Sequence, residues 1–186
     1  MQIRYSGIAP VFAAVMVLIL PLQWFLSIIA AAVIHELCHY CAIRATGNRV
    51  YELSLTHRGA LMRTSLLSDT EELVCAISGP LGSFLLFLCY PWVPRLAICA
   101  GVQGFFNLLP LYPLDGGRVF RILMRRWFPA HAASICQWIQ HLLITGIFLA
   151  GFYFSVCLRL GFGPVCLSVL LLFRASSEKF LANRGN

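Results

Sequence analysis

From Ile8 to Ile43 the chain carries a single formally charged side chain, Glu36, and it stands inside His35-Glu36-Leu37-Cys38-His39. A backbone in lipid must satisfy its own hydrogen bonds, so an apolar run of this kind folds as helix. Residues four apart share one helix face, so His35 and His39 can bind one metal ion together. An acid between two such histidines is the usual general base toward a metal-activated water, which makes Glu36 the candidate catalytic residue. Placed in a membrane, that set of groups points to hydrolysis of something that is itself in the membrane.

Of the 186 residues, 60% are hydrophobic and 11% charged. Soluble domains carry about 25% charged residues. The composition defines a polytopic membrane protein, read as one domain over residues 1–186. The net charge of +7 is not arranged as a basic stripe with interleaved aromatics, which argues against a nucleic-acid partner. The 8 cysteines are scattered through apolar segments, where Cys behaves as a small buried hydrophobe rather than as part of a disulfide framework.

Hydropathy predicts an all-α architecture of about six spans, near residues 8–20, 22–44, 72–90, 95–115, 133–156 and 163–174. Several fall short of the roughly 20 residues that cross a bilayer. The first run resembles a signal peptide after Arg4, but it continues into the His-Glu segment without a small-residue cleavage site and reads as a retained span. Pro80, with Gly79 and Gly82, is expected to loosen the third span. With six spans, all of the 14 Lys and Arg residues except Arg95 and Arg159 fall on one side. The positive-inside rule then places both termini in the cytoplasm.

Within the 45–71 connection, Val50-Tyr51-Glu52-Leu53-Ser54-Leu55-Thr56 alternates as a strand does. His57-Arg58-Gly59 reads as a turn and Ala60-Leu61-Met62 as a second strand. The segment is either a small membrane-associated β-hairpin able to hold an extended peptide by strand addition or a plain amphipathic loop.

Zinc hydrolases use three protein ligands and one open position. The third candidate is Asp115, in the run Asn107-Leu108-Leu109-Pro110-Leu111-Tyr112-Pro113-Leu114-Asp115-Gly116-Gly117-Arg118. His39 precedes Arg44 by about 7 Å of helix and Asp115 precedes Arg118 by about 5 Å, so both sets arrive near the cytoplasmic boundary if the second and fourth spans are parallel. A dication would offset the cost of an Asp in lipid.

His-Glu-Leu-Cys-His together with N-x-x-P-x-x-x-L-D-G resembles the site-2 protease family of intramembrane zinc metalloproteases. The resemblance covers about Ile29 to Arg118, in the order metal helix, Gly-Pro helix, Asn…Asp-Gly segment, and implies a catalytic core over about 22–118. It implies one Zn²⁺ per chain on His35, His39 and Asp115, Glu36 as the base, and Asn107 against the substrate backbone or the developing oxyanion. The compact layout is similar to the bacterial sporulation-type branch, whose members release a sigma factor from a membrane-associated precursor. That implies a bacterial cell membrane, a membrane-associated protein substrate, and an inhibitory or activating membrane partner. The chain departs from the family at Ser83, where Asn is common, and shows no PDZ or C-terminal regulatory domain.

Other polar residues have plainer readings. His141, with Gln137 and Gln140, fits interhelical hydrogen bonding. Gly116-Gly117 is expected to let the chain turn after Asp115. Arg121, Arg125 and Arg126 beside Trp127 and Phe128 form a membrane-interface anchor. The competing function is a metal transporter or sensor using the same three ligands, and a catalytically silent scaffold is a third option. A transporter would need further ligands along a pathway, whereas these groups cluster near one face.

Overall fold

The computed structural model describes residues 2–5, 20–56, 59–65 and 67–156. In chain order these form β1 (Gln2–Tyr5), α1 (Leu22–Ala45), β2 (Val50–Thr56), β3 (Gly59–Thr64), α2 (Asp69–Phe87), α3 (Pro94–Asn107), α4 (Asp115–Trp127) and α5 (Ala132–Val156). The chain divides into two compact units at Leu109/Pro110.

In the first unit, α1, α2 and α3 pack against one another. Helix α1 ends where Gly47 takes a positive φ of 82°. There Asn48 N–H reaches the Ile43 carbonyl and Gly47 N–H the Arg44 carbonyl, the Schellman arrangement that satisfies otherwise orphaned carbonyls. Helix α2 starts with a capping box, in which Ser68 and Glu71 each accept from the other's backbone N–H. Asn48 ties the two ends together, donating to Glu71 at 2.9 Å and accepting from the Ser65 hydroxyl at 2.6 Å. The turn that closes α1 is thereby fixed to the start of α2. Ala97, Ala100, Gly101 and Gly104 make a buried face on α3. A Cβ at Gly104 would lie 3.0 Å from the Ser83 Cβ, and one at Gly101 2.7 Å from the Phe87 ring. Small residues thus let α2 and α3 approach closely, as membrane helices commonly do.

The hairpin of the 45–71 connection is present and belongs to a larger sheet. Strand β2 pairs antiparallel with β3 and parallel with β1, in the order β1-β2-β3. The expected helical architecture with a hairpin in this connection is present, and among the described residues β1 is the one strand that was not expected. β1 gives no local signal because it is made by pairing with residues about fifty positions away.

Among the described residues, three helices are long and apolar enough to cross a membrane: α1, α2 and α5. Their outward side chains suit lipid: Leu26, Val33, Leu81, Leu85, Trp138 and Leu142 are all exposed. The expected fourth span is corrected. Helix α3 has 14 residues, about 21 Å, and stops at Asn107 rather than running to 115. Pro110 and Pro113 break the apolar run, since neither offers an N–H to continue a helix. The expected spans at 8–20 and 163–174 lie outside the described residues, as do His57 and Arg58 of the turn.

The second unit contains α4 and α5, which pack together. Gly116 and Gly117 lie inside the first turn of α4 instead of turning the chain after Asp115. A Cβ at Gly117 would meet the Leu111 carbonyl oxygen and Tyr112 nitrogen at 2.5 Å. Glycine is needed there because the linker folds back against the helix start. The Arg121 guanidinium stacks over the Tyr112 ring at 4.8 Å, fixing the same linker to α4. Trp127 and Phe128 are exposed at the end of α4 beside Arg125 and Arg126, as an interfacial anchor requires.

Candidate metal centre

The helical spacing puts His35 and His39 on the inward face of α1, 2% and 7% exposed. Their rings meet edge to face, and their Nε2 atoms are 3.2 Å apart. Each Nδ1 is held by α2. His39 Nδ1 lies 2.7 Å from the Cys75 carbonyl oxygen, which also accepts from the Ser78 hydroxyl at 2.7 Å. A carbonyl only accepts, so His39 carries its proton on Nδ1 and presents a lone pair at Nε2. His35 Nδ1 lies 2.9 Å from the Ser83 hydroxyl, which is itself buried.

Gly79 sits between these two contacts. A Cβ there would meet His39 Nε2, lie 2.5 Å from His39 Cε1 and lie 2.8 Å from His35 Nε2. The absent side chain is what gives the imidazoles their room. Asn107, the last residue of α3, brings its Nδ2 to 3.3 Å from His35 Nε2. Glu36 is half-buried on the same helix between the two histidines.

Asp115 is the first residue of α4 and is 8% exposed. One donor atom from each of His35, His39 and Asp115 lies within 4.8 Å of the other two. A tetrahedral ion with Zn–N bonds of about 2.05 Å has an N···N edge of about 3.3 Å, close to the Nε2 separation seen here. Two imidazole nitrogens and a carboxylate oxygen are also the donor types zinc takes in catalytic sites. The residues fit the ion.

Several features of this centre were not expected from sequence. Ser83, read only as a family departure, contacts His35. The Cys75 carbonyl, a backbone group with no sequence signature, orients His39. Cys38 and Cys41 stand at C-x-x-C spacing, yet Cys38 sits where a Cβ at Gly82 would meet its Sγ, and Cys41 is exposed. Gln137 and His141 are exposed on α5.

The buried His35, His39 and Asp115 offer the donor set of a metal centre, and the fold is similar to that of a solved site-2 protease. The structure is similar to the site-2 protease from Methanocaldococcus jannaschii, with a TM-score of 0.68 over 95% of this chain and 89% of that one, at 21% identity. The sequence is similar to zinc metalloprotease MJ0392 of the same organism, 27% identical over an alignment 116 positions long that covers 55% of this chain and 34% of that protein. The chain thus spans about a third of the length of the curated relative it matches. No protein-family model matches the sequence.

Proposed function

We propose that the chain is an intramembrane zinc metalloendopeptidase that cleaves a peptide bond within or beside the membrane in a membrane-associated protein. The observation that carries this reading is the grouping of His35, His39 and Asp115, with Glu36 between the histidines and Asn107 against one of them. Among the described residues this is the one such group of potential metal ligands. A transport pathway would need others along its length.

His35 and His39 would hold zinc through Nε2 and Asp115 through a carboxylate oxygen. When bound, the ion supplies Lewis acidity, lowering the pKa of water and polarising a carbonyl. Glu36 takes the proton of the attacking water on a carboxylate oxygen and delivers it to the leaving amide nitrogen. Asn107 donates Nδ2–H to the oxygen that becomes negative as the carbonyl carbon turns tetrahedral. The substrate helix must unwind first, because a helical carbonyl is hydrogen-bonded and shielded. An outer strand of the sheet, β3 or β1, would offer backbone groups to the extended segment.

Basic residues near α4 and in the 45–71 connection favour a cytoplasmic opening of the site. The compact layout makes a membrane-tethered sigma-factor precursor the specific substrate candidate. The test compares membranes from cells expressing wild type and Glu36→Gln by N-terminal mapping. New termini inside or beside membrane segments should appear only with wild type, at equal zinc content. Cleavage by Glu36→Gln at the wild-type rate would refute the role of Glu36, and no new termini with wild type would refute the proteolytic reading.

A further inference from the structure

We propose that Ser83 is a positioning residue that sets the tautomer of His35 and thereby the affinity of the metal site; this rests on the zinc reading above. Cys75, Gly79 and Ser83 are spaced four apart on α2 and form one stripe, opposite His35 and His39, also four apart on α1. The helices match in antiparallel order: Ser83 meets His35, and the Cys75 carbonyl meets His39. Gly79, between them, leaves the space in front of both Nε2 atoms.

The two supports differ in kind. The carbonyl at His39 dictates a protonated Nδ1. The hydroxyl at His35 both donates and accepts. With the proton on Nε2, His35 can donate across 3.2 Å to His39 Nε2 while Nδ1 accepts from Ser83. With the proton on Nδ1, His35 donates to Ser83 Oγ, and Nε2 presents the lone pair that a metal requires. Ser83 satisfies the ring in both states, so metal uptake leaves no buried Nδ1–H without an acceptor. Burying such a donor unpaired is unfavourable. Metal-bound histidines generally need this outer partner, and its loss weakens affinity about 10–100-fold. Ser83 is 1% exposed, and its Cβ faces Gly104 at close range.

The experiment measures zinc affinity of the purified, detergent-solubilised full chain by competition with a chromophoric chelator, for wild type, Ser83→Ala and Ser83→Thr. Affinity should fall about 10–100-fold in Ser83→Ala and return toward wild type in Ser83→Thr, which keeps the hydroxyl. ¹⁵N-histidine spectra of the zinc-loaded protein should show the His35 Nδ1–H exchanging faster in Ser83→Ala, at unchanged helicity. Wild-type affinity in Ser83→Ala, or equal losses in both variants, would overturn the proposal. Weakened zinc in Ser83→Ala with no proteolysis by wild type would leave the proposal standing and remove the protease reading instead.

Discussion

Gly79→Ala should separate metal binding from folding. The added methyl would sit 2.8 Å from His35 Nε2 and 2.5 Å from His39 Cε1. An ordinary contact between such atoms is about 3.5 Å, so these two atoms must recede by roughly 0.7–1 Å, and His39 Nε2, which the methyl would meet directly, by more. Metal–ligand distances tolerate about 0.2 Å. The rings cannot recede freely, because His39 is held to the Cys75 carbonyl and His35 to Ser83. Loss of one ligand of three from a zinc site worth about 10–16 kcal/mol costs roughly 4 kcal/mol, about 10³ in Kd. The cost to the metal-free fold is smaller: overpacking of about 1–3 kcal/mol is partly offset by the about 0.5–1 kcal/mol that Ala gains over Gly within a helix. Chelator competition gives the affinity, and circular dichroism with a thermal melt of the zinc-free protein gives the fold. Zinc bound as tightly as in wild type would mean that the ion does not lie between the two Nε2 atoms, and the site as built above would be wrong.

Two further substitutions address separate parts of the centre. Asp115→Ala should weaken zinc by about 10³ on the same per-ligand share, read by metal analysis after dialysis against a mild chelator. Asn107→Ala should keep zinc and lower kcat about 10²–10³-fold with little change in KM, as loss of an oxyanion donor does. An equal rise in KM with unchanged kcat would assign Asn107 to substrate binding alone.

The His pair was legible because four-residue spacing is a property of the helix itself and needs no tertiary knowledge. Asp115 was reached by a depth argument that assumed a fourth span running to residue 115. The structure ends α3 at Asn107 and starts α4 at Asp115. Average hydropathy could not see that break, because Leu108, Leu109, Leu111 and Leu114 keep the linker apolar. Pro110 and Pro113 were the signal available. Gly116-Gly117 misled for a related reason: glycine marks a close approach as readily as a turn, and only the position of the linker decides which. The alternation in Val50–Thr56 identified β2 because it is local, whereas β1 depends on a distant partner. The outer contacts of the histidines were illegible, since a backbone carbonyl and a serine hydroxyl carry no motif.

Helix α1 supplies the imidazoles, but α2 decides what they can do. A four-residue step rises about 6 Å in any α-helix. Two antiparallel helices in contact therefore keep His35 opposite Ser83 and His39 opposite Cys75 together, and a shift of one residue on α2 would lose both contacts. The tautomer at His39 places an acceptor lone pair 3.2 Å from His35 Nε2. Two facing lone pairs at that distance repel unless a proton or a cation lies between them. A shared proton serves the metal-free state and a dication the loaded one. The Ser83 hydroxyl, able to donate or accept, permits the exchange between them within a buried centre.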